Sequence, residues 1–241
     1  MVGSLSDFWW LEQNQLDNFT YLELGHNEPV DDLTCPTIQA QKCQITKIDE
    51  FRSKYHNINI HRSFMLWDAS VDGQGIFGPF LVDIDNDNDL NASHMIVKQL
   101  LNYLINNIGL TAKDLRIFFT GHKGFNIEIR PKSLKIYGSV PEQIKLSSKI
   151  LDSIIDNLRQ KNVVQDSTIN AVDDNGTIID RLYGDRFYYK LKHPFVRLHD
   201  SINKWVSSDK RFVSRKKIEL SSQELLQKSI REILSENEAL T

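Results

Sequence analysis

The stretch from Phe80 to Ile129 constrains the fold of this chain more than any other. It opens with Phe80-Leu-Val-Asp-Ile-Asp85, an apolar run that reads as a strand. A helix follows, with Asn91 or Ser93 as its N-cap, Ile96, Leu100 and Leu104 along one face, Val97 and Leu101 beside them, and Gly109 closing its end. Two further strands, Leu115–Phe119 and Phe125–Ile129, are joined by Thr120-Gly-His-Lys-Gly124. A segment that reads strand, helix, strand, turn, strand must bury a helix against a sheet, which excludes an all-helical bundle and an all-β sandwich.

The flanking sequence supplies more of both kinds of element. Upstream, Ser6–Gln13 reads as a short helix anchored by Phe8, Trp9 and Trp10. Phe19–Leu24 alternates like a strand that Gly25-His-Asn-Glu-Pro29 ends, Ile45–Tyr55 reads as helix, and Ser63–Trp67 as strand. Downstream, a long helix has Pro141 in its first turn and runs to about Lys161, with Ile144, Ile150 or Leu151, Ile154, Ile155 and Leu158 as its stripe. Then come a short strand at Ile178–Asp180, a short helix over Asp185–Leu191 that Pro194 must end, and strands at Phe195–Leu198 and Lys217–Leu220. The last helix opens on Ser221-x-x-Glu224. No repeat, low-complexity tract or linker interrupts the chain, and strands and helices mix without strict alternation. A single α+β domain over residues 1–241 is expected.

With 40% apolar residues in 241, such a domain can build its own core. Two cysteines cannot make a disulfide framework and point to a reducing, intracellular setting. No apolar run reaches the roughly 18 residues of a membrane span, and the N-terminus has no signal-peptide pattern. The net charge of −3 hides an asymmetry. From Arg181 to Lys217 eleven basic residues face three acidic ones, a net +8, which leaves −11 on the rest of the chain. Phe187, Tyr188, Tyr189, Phe195, Trp205 and Phe212 are interleaved with those bases, a composition suited to a phosphate-bearing, stacking ligand and equally to a solvated face over core aromatics.

Several motifs bear on chemistry. Gly73-x-Gly75-x-x-Gly78 spells a dinucleotide fingerprint, but Pro79 and a strand follow it where a helix should open, so these glycines read as a loop or turn. The Asp83–Asp89 run fails as a calcium loop in either register, because the Gly and Glu positions hold other residues. Its first two acids are more informative. Residues i and i+2 of a strand share a face, so Asp83 and Asp85 project together. Paired carboxylates repel unless a cation or proton lies between them, and a third carboxylate would allow two metal ions to clamp a transferring phosphoryl group. The alternative is an acidic surface turn. Thr120–Gly124 can offer backbone N–H groups and Lys123 to a phosphate, or simply be a hairpin turn. Arg197, Ser201, Asn203 and Lys204 suit phosphate or sugar, or a polar loop. Cys35 and Cys43, with His56 and His61, are spaced unlike a zinc knuckle, and structural zinc is not expected.

The order of these motifs resembles that of the archaeo-eukaryotic primase (primase-polymerase) superfamily. The matching features are an apolar strand ending in Asp83-x-Asp85, then Thr120-Gly-His-Lys-Gly-Phe-Asn126, then Ile179-Asp180, then Arg197-Leu-His-Asp-Ser-Ile-Asn-Lys204. His61-Arg62-Ser63 is similar to the family's Tyr-Arg-Ser stretch. The likeness spans roughly residues 60–215. It implies a catalytic core with an N-terminal α/β unit and an RRM-like sheet, and a DNA primase or primase-polymerase activity on NTPs or dNTPs along single-stranded or primed templates. It also implies two Mg²⁺ or Mn²⁺ ions on Asp83, Asp85 and Asp180, and a nucleotide site of Arg62, Thr120, Gly121, Lys123, Gly124, Asn126, Arg197, Ser201, Asn203 and Lys204. A helicase or accessory primase subunit is a further implied partner. One position departs. The family's second motif ends in a phosphate-contacting His, and here it reads Asn126, which can donate a hydrogen bond but never carry charge. That departure opens the alternative of a primase-like subunit that binds nucleotide or single strands without polymerising. A metal-dependent phosphoesterase using the same carboxylates is a third reading.

Overall fold

In the computed structural model the described residues are 8–27, 39–55, 59–68, 75–85, 90–119, 124–160, 170–172, 178–180, 195–198, 201–203, 212–214 and 216–217. The chain runs through α1 (Gln13–Asn18), β1 (Tyr21–Asn27), β2 (Gln39–Gln44), α2 (Ile48–Lys54), β3 (Asn59–Ser63), β4 (Met65–Trp67), β5 (Gly75–Phe77) and β6 (Phe80–Asp85). It continues with α3 (Leu90–Asn106), β7 (Leu115–Phe119), β8 (Gly124–Ile129) and α4 (Val140–Gln160). Short strands follow: β9 (Asn170–Val172), β10 (Ile178–Asp180), β11 (Phe195–Arg197), β12 (Ser201–Asn203), β13 (Phe212–Ser214) and β14 (Lys216–Lys217). The class is α+β, with antiparallel sheets. The expected helix over 185–191, the strand residues beyond Lys217 and the last helix lie outside the described residues.

Period-two alternation builds the sheet that carries the acidic strand. Its order is β14-β7-β8-β6, antiparallel throughout. Three rows, Phe80–Ile129–Leu115, Val82–Ile127–Ile117 and Ile84–Phe125–Phe119, put nine apolar side chains on one face. All nine belong to one core cluster with Ile96, Val97, Leu100, Leu101 and Leu104 of α3 and Leu151, Ile154 and Ile155 of α4. The helices therefore cover this face, as their stripes predict. Parallel β6 and β7 flank β8 and are joined across it by α3, which is the split β-α-β arrangement. The described final strand, β14, pairs with β7 and not with β6.

The second sheet is built around β1, which pairs with β2 on one side and with β3 and β4 on the other; β11 extends β3 and β5 extends β4. It packs over a separate cluster that includes Phe8, Trp10, Leu22, Leu24, Ile48, Phe51 and Leu198. Four sequence expectations change here. Within the described residues the N-terminal α-helix is Gln13–Asn18, and Phe8–Leu11 of the expected helix makes a turn instead, because consecutive Phe8, Trp9 and Trp10 cannot share one helical face, whereas a turn sends them to different partners. Ser63–Trp67 is two strands broken at fully buried Phe64, a break that Ser63 spans by accepting from Glu23 N and donating to Met65 O. Gly75 begins a strand, while Gly78 lies so close to Phe64 that a Cβ there would fall 2.7 Å from its ring and carbonyl. Helix α3 starts at Leu90, ahead of both proposed caps, with Ser93 buried inside it. Strand β2 escaped sequence reading because Gln39-Ala-Gln-Lys-Cys-Gln44 has no apolar alternation; its Gln41, Lys42 and Gln44 are exposed.

Helix α4 opens with Ser139 and Glu142. The Glu142 carboxylate accepts from the Ser139 hydroxyl at 2.7 Å and from its backbone N–H at 2.8 Å, and these bonds hold its carboxyl below the ordinary 4.5. A carboxyl lowered on folding stabilises above its unfolded value and loses that contribution as pH falls through the folded one. Denaturation of Glu142→Ala should therefore show a stability deficit that is constant at neutral pH and closes as the medium is acidified below 4.5.

The two sheets are joined by a buried ion pair. Arg62 on β3 and Glu128 on β8 both have fully buried side chains, with Nη2 and Oε1 3.6 Å apart. Removing one partner strands the other's charge in the interior, at a cost of about 3–5 kcal/mol, while replacing both by apolar groups is often neutral. Urea unfolding should show such a loss for Glu128→Leu or Arg62→Met alone, and recovery of most of it in the double variant.

Candidate functional site

The opposite face of the β6–β8 sheet is where the chemistry-bearing residues lie. Its rows are Leu81–Glu128–Arg116, Asp83–Asn126–Phe118 and Asp85–Gly124, with Lys217 paired to Phe118. Alternation in Phe125-Asn-Ile-Glu-Ile129 would ordinarily turn Asn126 and Glu128 to water, yet all six residues of β8 are buried. The N-terminal segment explains this. Trp9 donates its indole N–H to Glu128 Oε2 at 3.0 Å, Arg62 supplies the opposing charge, and the Arg62 guanidinium lies 5.9 Å from the Phe8 ring centroid. Arg116 and Arg130 lie over Trp9 at 4.8 and 5.5 Å, and Arg130 also donates to the Trp9 carbonyl at 2.9 Å.

Cover decreases along the strand. Glu128 is fully buried, whereas Asp83, one row on, is half-buried. Asp83 sits directly opposite Asn126, whose amide donates to Asp83 Oδ1 at 2.5 Å. Asp85 is opposite Gly124, which adds no side chain to that row. The paired ends Phe119–Phe125 and Asp85–Gly124 put the β7–β8 connection at the same end of the sheet as Asp85. Thr120, Gly121 and Lys123 of that connection are outside the described residues. So the acidic strand and the Gly124-Phe-Asn126 end of the turn motif, 39 or more positions apart in the chain, are hydrogen-bonded neighbours.

The other proposed residues lie on other strands or outside the described residues. Asp180 ends β10, opposite Asn170 in a two-stranded sheet with β9. Arg197 on β11 pairs with His61 on β3. Ser201 and Asn203 lie on β12, opposite Ser214 and Phe212 of β13, and β12 lies against β3. Lys204 is outside the described residues. Arg62, expected in the nucleotide site, has its side chain in the interior, 3.6 Å from Glu128 and donating to the Ser63 carbonyl at 3.3 Å, so it ties the two sheets together. Of the zinc candidates, Cys43 is half-buried on β2, with burial pushing its thiol up, and His61 is buried on β3; Cys35 and His56 are not described. Among the described residues no three or more His, Cys, Asp or Glu side chains gather into a cation cage, and no helix is long and apolar enough to cross a membrane.

Sequence reasoning missed Trp9 and Glu128 and the bond between Asn126 and Asp83. The alternation of β8 put Asn126 and Glu128 on one face, but only the strand register shows what each meets. A cavity of 840 Å³ also opens at the seam between the N-terminal unit and the start of α4, walled by Trp10, Phe19, Met65, Ile136, Tyr137 and Val140. Its polar wall residues are engaged with protein groups: Gln143 with Phe77 N and Gly138 O, Ser139 with Glu142, and Glu12 with Lys132. It offers apolar volume without the acidic pair's chemistry. No protein-family model and no curated protein sequence matches this chain.

Proposed function

We propose that this chain is a metal-dependent, template-directed nucleotidyltransferase of primase-polymerase type, acting on NTPs or dNTPs along single-stranded or primed nucleic acid. The observation that carries the reading is the β6–β8 register. It sets Asp83 beside Asn126 and Asp85 beside Gly124, so the acidic and glycine-turn motifs share one end of one sheet. The split β-α-β order and the helix-covered rear face fit an RRM-like core, while the described final strand departs from it, since β14 pairs with β7 where such a core pairs its last strand with its first, here β6.

Two carboxylates on one face, with a neutral amide beside them, are hard oxygen donors of the kind Mg²⁺ and Mn²⁺ prefer. Asp83 and Asp85 would hold the cation, with Asp180 as the third carboxylate. The bound ions would neutralise charge on a transferring phosphoryl group. Lys123 and the glycines around it would hold the triphosphate by backbone N–H groups and charge, and Arg197, Ser201, Asn203 and Lys204 would complete the nucleotide site. The +8 segment would track the strand electrostatically, its aromatic residues stacking on bases. Arg62 is left out of this set because its charge is spent on Glu128.

One observation favours the second reading, a binding subunit without polymerase activity. The Asn126 amide is engaged with Asp83, so this position brings no cation to a phosphate. Incorporation of labelled nucleotides on single-stranded and primed templates separates the two. The enzyme reading expects incorporation with Mn²⁺ or Mg²⁺ that falls more than about 100-fold in Asp83→Ala, beyond the effect of losing a ligand's supporting partner. Incorporation unchanged in that variant contradicts the metal assignment, and tight nucleotide binding without incorporation selects the subunit reading. Release of free phosphate or nucleotide without chain extension would select the phosphoesterase reading.

Strand binding gives a separate check. Each phosphate contact adds about 0.7 to the magnitude of the log Kd against log salt slope for single strands. Lys217, paired to Phe118 in the row of Asp83, is expected to carry one such contact. Lys217→Ala should then flatten the slope by about 0.7, and an unchanged slope removes Lys217 from the strand path.

A further inference from the structure

The amide of Asn126 makes a direct polar contact on the acidic face. Asn126 is buried, lies directly opposite half-buried Asp83, and its Nδ2 donates to Asp83 Oδ1 at 2.5 Å. A residue on the adjacent strand in register is held within reach of its partner as long as β6 and β8 stay paired. The partner residue is also chemically particular. A cationic donor at this place would satisfy Asp83 but repel an incoming metal ion. An apolar residue would remove this hydrogen bond from the carboxylate. A carboxamide fixes the carboxylate and adds no charge.

We propose that Asn126 is a positioning residue for metal binding: its amide orients the Asp83 carboxylate so that Asp83 and Asp85 present their charge to one divalent cation. This rests on the reading that Asp83 and Asp85 hold the metal, and it assigns Asn126 a role toward the metal ligand in place of a contact with triphosphate. Hydrogen-bonding partners of metal ligands commonly contribute 10–100-fold in metal affinity. Loss of the amide should weaken cation binding by that factor even with no nucleotide present.

The test is titration of the full chain with Mn²⁺ alone at pH 8, with free Mn²⁺ followed by electron paramagnetic resonance and thermal midpoints recorded without metal. Asn126→Leu keeps most of the side-chain volume and removes the donor, and Asn126→Ala is the second variant if Leu impairs folding. Asn126→His restores a donor that is neutral at this pH. The expected result is Mn²⁺ affinity lowered about 10–100-fold in the Leu or Ala variant, and recovered in the His variant to within about threefold of wild type, a margin small against the 10–100-fold loss. A midpoint near that of wild type distinguishes this from general unfolding. Wild-type affinity in the Leu and Ala variants, with binding lost in Asp83→Ala, overturns the role of Asn126 and leaves the metal reading standing. Undiminished binding in Asp83→Ala overturns both.

Discussion

A carboxylate with no exposed surface has to be neutralised where it sits, and Glu128 meets that requirement with groups from two distant parts of the chain. Arg62 comes from the β1-centred sheet and the Trp9 indole from the N-terminal segment. Taking two charges out of water costs several kcal/mol per ion, so the arrangement holds only if both sheets and the N-terminal turn are correctly placed together. The pair's mutual attraction is offset by this desolvation cost, so intact it adds little net stability, while losing one partner is costly. It lies between the two sheets, on the face of the β6–β8 sheet that also carries Asp83.

The acidic face follows from this. One row beyond Glu128 the cover thins, and Asp83 is left half-buried beside Asn126. The same strand pair thus uses one polar position for assembly and, in the proposed function, the next for the metal ion. The rear face carries apolar side chains in three full rows under α3 and α4, which holds β6 and β8 rigidly in register. A carboxylate pair on such a scaffold can be placed more closely than one on a loop.

Much of the fold was legible because its signals are local. The stripes of α3 and α4, the strand at Phe80–Asp85 and the hairpin of β7 and β8 all follow from period and turn residues. What was not legible depended on partners distant in sequence. Strand β2 has a polar sequence and exists as an edge on β1. The turn at Phe8–Trp10 is held by Arg62, Arg116, Arg130 and Glu128. Arg62 looked like a ligand-binding residue because a chain read in isolation cannot show a buried glutamate 66 positions away. The candidate site was legible in part: the shared face of Asp83 and Asp85 is a strand property, but the proximity of Asn126 is a register property.

The most direct measurement is a crystal structure of the chain soaked with a nucleoside triphosphate and Mn²⁺, with an anomalous difference map at the manganese edge. The central claim predicts an anomalous peak bound by the carboxylates of Asp83 and Asp85, with the triphosphate extending toward the β7–β8 connection. A triphosphate and manganese bound elsewhere, with no peak at these two aspartates, would contradict it.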